Sequence, residues 1–217
     1  MKYKIVIGLL FIFVTVALDN IESKTELNDI YADSIVTDSI NSESTENKIE
    51  KAEENSELEI IQKRINDISL ITDKKQQLLE FKKLQYEYPD VFEKYGTLDN
   101  YFTEKELNLF FKVVEAEITE GNFDAKVNVA NVILNRYYTG DYGATLIDVL
   151  NRKQFESVLN KRYERVEVTE DTKLACEYAF MYEDTTQGAI FFESLSGDTH
   201  QSYADYLFQD GYHKFYK

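Results

Sequence analysis

The chemistry of this chain centres on one carboxylate, Glu117, set in the block Val113–Arg136, which reads VVEAEITEGNFDAKVNVANVILNR. Glu117 falls at the end of an apolar helical stripe, just before a turn and a second helix. A carboxyl group at the lip of a hydrophobic core has its ionised form disfavoured and its pKa raised. A general acid needs that property if it is to carry a proton near neutral pH. Counting about 100° per residue, Glu117 lies about 70° from the centre of the stripe made by Leu107, Phe110, Phe111, Val114 and Ile118, and Glu115 about 90°. Glu117 is therefore expected to be the inward carboxylate.

Several elements must position it. Thr103-Glu104-Lys105-Glu106 is a capping box that opens the helix carrying Glu117. Gly121-Asn122 makes the turn that follows. The next helix, about Phe123–Tyr138, is apolar nearly all round through Val127, Val129, Ala130, Val132, Ile133 and Leu134. Such a helix is a buried central one, a wall behind Glu117. Asn135 and Arg136 at its end are expected to brace the loop carrying Glu117. Further capped helices are predicted after Thr145 (Leu146–Leu150) and Thr169 (Glu170–Tyr182). An extended run, Ala189–Glu193, then leads through a polar loop at His200 to an aromatic tail, Tyr206–Tyr216.

Upstream, Leu58–Tyr88 carries Ile60, Ile61, Ile65 and Ile68, then Leu78, Leu79, Phe81 and Leu84, at intervals of three and four. Two helices are predicted, broken at Thr72-Asp73, with Pro89 ending the second at or before Tyr88. Between Asp19 and Glu59, thirteen acids stand against three lysines and hydrophobic residues are scattered singly. Such a stretch buries too little apolar surface to offset its ordering entropy and reads as a disordered spacer. At the N-terminus, Lys2 and Lys4 precede the apolar run Ile5–Leu18. That run suits a signal-peptide core, with a short membrane anchor as the alternative. The expected organisation is a signal or anchor at 1–18, a spacer at 19–57, a helical preface at 58–100 and a catalytic domain at 101–217.

Composition removes several classes of function. A net charge of −16 argues against nucleic acid as a partner, because phosphate binding calls for basic patches. The lone Cys176 rules out an internal disulfide framework, and its apolar surroundings mark it as a buried structural residue.

Four blocks resemble the SleB/CwlJ-type cell wall hydrolases, the spore cortex-lytic enzymes and their relatives, over about residues 107–217. The strongest is Glu117 followed, after nine residues, by Val127-Asn128-Val129-Ala130-Asn131-Val132-Ile133-Leu134-Asn135-Arg136. Gln154-Phe155-Glu156-Ser157, Gly188-Ala189-Ile190-Phe191-Phe192 and Gly211-Tyr212-His213-Lys214-Phe215-Tyr216 follow in the family's order. The resemblance implies an α+β, mainly helical, lysozyme-like catalytic domain with a small β element near the C-terminus. It implies action on peptidoglycan glycan strands, with Glu117 as the single catalytic acid and no metal or other cofactor. The implied reaction is lytic transglycosylation between N-acetylmuramic acid and N-acetylglucosamine. Ordinary glycoside hydrolysis uses two carboxylates, whereas attack by the sugar's own hydroxyl can proceed with one.

Glu120, Gln154, Phe155, Phe192 and His213 are the candidate substrate contacts, and the setting is expected to be the cell wall or spore envelope. The family commonly carries a second acid four residues after its catalytic Glu. Here that position is Gly121, with Glu120 beside it, and Asn128 replaces a small apolar residue. Two other readings remain: an N-acetylmuramoyl-L-alanine amidase, and a catalytically weak wall-binding protein of the same fold.

Overall fold

The computed structural model describes residues 42–92, 97–151, 155–197, 199 and 203–217. The run Ile5–Leu18 and residues 19–41 lie outside that set. The chain divides into two units, with the boundary between Thr72 and Asp73. In the first, α1 (Ser42–Ser69) is a single 28-residue helix. It begins inside the acidic stretch, where Glu, Lys and Ala are good helix formers. Among the described residues, no helix is long and apolar enough to cross a membrane.

The second unit starts at Asp73, whose side chain accepts the Gln76 N–H at 2.7 Å and so caps α2 (Lys74–Glu87). Pro89 ends that helix as expected and then serves as the first residue of a short one, α3 (Pro89–Phe92). A single turn, α4 (Leu98–Tyr101), leads to α5 (Glu104–Glu117), opened by the predicted capping box at Thr103 and Glu106. Leu107, Phe110, Val113 and Val114 form its buried face.

Next comes α6 (Phe123–Thr139), capped by Asn122 at its start and by Gly140, at φ 75°, at its end. The helix is buried from Ala125 to Arg136, as a central helix should be. Two short helices, α7 (Leu146–Asn151) and α8 (Glu156–Leu159), and a 3-10 turn at Arg162–Glu164 lead to α9 (Glu170–Met181). Cys176 is fully buried on α9, and burial pushes its thiol pKa well up. Lys75–Asp171 and Lys82–Glu177 ion pairs, each 2.6 Å long, tie α2 to α9. A buried bond from the Tyr178 hydroxyl to Gln77 Oε1 (3.0 Å) does the same.

The C-terminus forms a three-stranded antiparallel sheet in the order β1 (Phe191–Ser194), β3 (His213–Tyr216), β2 (Tyr206–Gln209). Phe192 pairs with Phe215, and Phe208 with Phe215 beyond an irregularity in β2. Those three rings, with Leu207, cover Val132 of α6 and Ala189, sealing the sheet to the central helix. The aromatic tail of the sequence is thus two strands, and a mainly helical α+β fold is what these elements make.

Candidate functional site

Glu117 is the last residue of α5, half-buried, with Oε1 accepting the Ser157 N–H at 2.9 Å. Its Oε2 makes no hydrogen bond among the described residues. Ser157 sits near the start of α8, so the contact joins the end of one helix to the beginning of another. The helix ends without a glycine cap. Ile118 takes φ −140° and ψ 52°, and its N–H closes on the Val114 carbonyl.

The turn beyond is tight. A Cβ built at Gly121 would lie 2.1 Å from Ile118 Cγ1. A side chain at position 121 would therefore collide with Ile118. Glu120 is exposed on the same turn.

Arg136 stands near Glu117, close enough for the carboxylate to act on its charge, without forming an ion pair with it. Its Nε donates to the Ile190 carbonyl at 2.6 Å. Its guanidinium carbon lies 4.8 Å from the Phe155 ring centre, 5.1 Å from Tyr142 and 5.6 Å from Phe191. Cation–π contacts in such a cage hold a guanidinium that water hardly reaches, since Arg136 is only 3% exposed. Burial pushes its pKa down to about 10, against the opposing influence of Tyr142, Glu117 and Tyr203. It remains a cation at neutral pH. Arg136 Nη1 and Ser157 Oγ are buried without hydrogen-bond partners among the described residues, so two polar groups beside Glu117 are left to a ligand or to water.

The other candidates fall in different places. Phe155 is 1% exposed and packs on Arg136 and Phe192, so its ring belongs to the core beneath the site and offers no open face to a sugar. Phe192 is half-buried on β1, with its ring 4.9 Å from His213 and 6.3 Å from Phe155. His213 is buried, with Nδ1 lacking a partner among the described residues. Burial lowers its pKa, against the pull of Asp210, so the imidazole is neutral near pH 7. Gln154 lies outside the described residues. Ser157 thus contacts Glu117, and the rings of Phe155 (two residues before Ser157 in the chain), Phe192 and His213 meet in succession, with Glu120 apart from both groups.

Two expectations are corrected. Glu115, not Glu117, is the more inward carboxylate, at 2% exposure. The angular count saw one apolar stripe on an isolated helix, whereas α6 and α9 also pack on the side where Glu115 points. There Glu115 accepts from Thr169 N (3.0 Å), Thr169 Oγ1 (2.7 Å), Thr172 Oγ1 and Lys126 Nζ (3.3 Å). Burial alone would raise its pKa, but these hydrogen bonds, then the Lys126 charge, leave it lowered.

Asn135 and Arg136, in turn, do not brace the loop after Glu117. Asn135 Nδ2 donates to Asp184 Oδ2 (3.0 Å), Thr186 Oγ1 (3.2 Å) and the Ala189 carbonyl (2.9 Å). Together with the Arg136–Ile190 bond, it secures the segment entering β1.

Asparagines at 128, 131 and 135 share one face of α6. Asn128 joins Asp210 (2.9 Å) to Thr185 (2.6 Å), and Asn131 donates to Thr185 (3.0 Å). Their spacing of three and four residues was the available sign that this helix has a polar seam. A lysine inside an apolar helix, Lys126, was the sign of a buried partner.

Comparison with known proteins finds a similar family and similar solved structures. Residues 120–216 match the family model described as Cell Wall Hydrolase. The match begins three residues beyond Glu117. Among solved structures, the chain is similar to the catalytic domain of the germination-specific lytic transglycosylase SleB from Bacillus anthracis. The two share 21% identity and a TM-score of 0.48, over 54% of this chain and 97% of that one. It is likewise similar to the catalytic domain of the Bacillus cereus SleB protein, at 22% identity and TM-score 0.48, over 54% of this chain and 92% of that one. No curated protein sequence matches the chain.

Proposed function

We propose that this protein degrades peptidoglycan by lytic transglycosylation, cleaving between N-acetylmuramic acid and N-acetylglucosamine with Glu117 as the one acid–base group. The observation that carries this reading is the state of the Glu117 carboxyl. One oxygen is fixed by the Ser157 N–H, the other has no partner among the described residues, and a caged guanidinium stands nearby without closing on it. Three other carboxylates are otherwise engaged. Glu115 has its four donors, Asp184 accepts from Thr186, Gly188 and Asn135, and Asp210 accepts from Tyr212, His213 and Asn128.

In the reaction, the protonated Glu117 gives its proton to the glycosidic oxygen as the bond to the muramic C1 breaks. The carboxylate so formed is stabilised by the Ser157 N–H and by the field of Arg136. It then takes the proton of the muramic 6-hydroxyl as that oxygen closes on C1, which returns Glu117 to its starting state and leaves a 1,6-anhydro end. A second carboxylate to activate water is not required. Phe192 and His213 supply the edge of the sugar site. The protein acts outside the cell, at the wall or the spore envelope, with the Ile5–Leu18 segment directing export or anchoring.

Mass spectrometry of muropeptides released from purified peptidoglycan tests the proposal. Products ending in 1,6-anhydro-muramic acid are expected. Reducing muramic ends would mean hydrolysis by two carboxylates, freed peptides would mean an amidase, and an absence of products would favour a wall-binding protein.

A further inference from the structure

Glu115 lies two residues before the proposed acid, on the opposite side of α5, and the proposed mechanism gives it no task. Two residues along a helix correspond to about 200° of rotation. Its carboxylate therefore faces α6 and α9, while Glu117 faces α8. The donors it collects belong to two separate elements. Thr169 is the N-cap of α9 and Thr172 lies in that helix's first turn, so Glu115 sits where the positive end of the helix dipole and two hydroxyls converge. Lys126, in the first turn of α6, is 4% exposed and donates to both Glu115 oxygens (3.3 and 3.4 Å), to Thr172 Oγ1 (2.8 Å) and to Thr169 Oγ1 (3.1 Å). Thr119 Oγ1 also binds the Glu115 carbonyl at 2.8 Å, beyond the end of the helix.

The last turn of α5 has no glycine cap and breaks off at Ile118. Its rotation about the helix axis is consequently set from the side, by the Glu115 clamp. We infer that Glu115, with Lys126, Thr169 and Thr172, is a positioning residue that fixes the rotation of this turn and so holds Glu117 against Ser157 in reactive alignment. The inference rests on Glu117 being the acid, but its geometric part does not. A misplacement of about 1 Å at a reacting group costs roughly 10²-fold in rate.

The reporter is the Ser157 amide, because its N–H donates to Glu117 Oε1. Glu115→Leu combined with Lys126→Met removes the clamp without leaving a buried unpaired charge. Thr172→Val removes a single donor and serves as the milder variant if the double one fails to fold. Hydrogen exchange of the full-length protein is followed at Ser157, with the buried Val113 amide of α5 as the internal reference. Ser157 exchange should accelerate by about tenfold or more relative to Val113, with kcat falling roughly 10–100-fold and KM within about twofold.

Unchanged Ser157 exchange in a folded variant would overturn the inference and leave Glu115 a merely structural group. So would a kcat that recovers with the melting temperature. If the wild-type protein releases nothing from peptidoglycan but Ser157 exchange still responds, the positioning role stands and the proposed activity falls.

Discussion

Glu117→Gln is the substitution that separates chemistry from architecture most cleanly here. The amide is isosteric with the carboxyl, and its Oε1 can still accept the Ser157 N–H now held at 2.9 Å. The remaining oxygen position, which has no partner among the described residues, becomes an amide nitrogen on a half-buried side chain. No buried ion pair is broken, because Arg136 is caged by aromatic rings and bonded to Ile190 without closing on Glu117. Stability should therefore change by less than about 0.5 kcal/mol. At about 2–4 °C per kcal/mol for a domain near this size, the melting temperature should move by about 2 °C or less.

Activity should respond differently. General acid–base catalysis contributes about 10²–10⁴-fold, and here the same group both gives and takes the proton. A loss of at least about 10³-fold in kcat is expected, with binding to insoluble peptidoglycan retained. The assay pairs anhydro-muropeptide release under single-turnover conditions with a sedimentation measurement of bound protein. Anhydro products formed within about tenfold of the wild-type rate would refute the assignment of the acid. Attention would then pass to the exposed Glu120, since Glu115 already has every oxygen engaged.

Three further expectations follow from other contacts. Glu115 has a lowered pKa, so its stabilising contribution is full above its ordinary value of 4.5 and is lost as the pH falls below that through its folded value. Thermal melts from pH 7 down to pH 3 should show a steep acid limb that is flattened in Glu115→Gln. Gly121→Asp, which restores the family's common acid, should destabilise the protein by about 1–3 kcal/mol through collision with Ile118. Adding Ile118→Ala should recover part of that loss in a denaturant titration. Asn135→Ala removes the donor to Asp184, Thr186 and Ala189 and leaves buried acceptors behind. About 2–4 kcal/mol of stability should be lost, with increased proteolytic cutting between residues 184 and 190.

Much of this protein is legible in one dimension because its signals are local. Thr103 with Glu106, and Thr169, are helix starts that the chain declares within four residues, and both cap helices in the structure, as do Asp73 at the expected break and Asn122 at the expected turn. Pro89 stops a helix because it lacks an N–H, and a helix apolar on nearly every side has nowhere to go but the centre. The block from Glu117 to Arg136 likewise carries its spacing in the sequence, and with it the resemblance to cell wall hydrolases.

What tertiary structure alone decided is which polar group faces which. The choice between Glu115 and Glu117 turned on α6 and α9, which bring Lys126, Thr169 and Thr172, from 11 to 57 residues away in sequence, to one side of α5. A 20° difference on an isolated helical wheel cannot weigh such partners. The role of Arg136 depended on three rings contributed by Tyr142, Phe155 and Phe191, and Phe155 proved to be the floor of the site because that cage buries it. Capping and periodicity act over a single turn and are written in the chain. Burial of a charge is settled only when separate elements supply its hydrogen bonds.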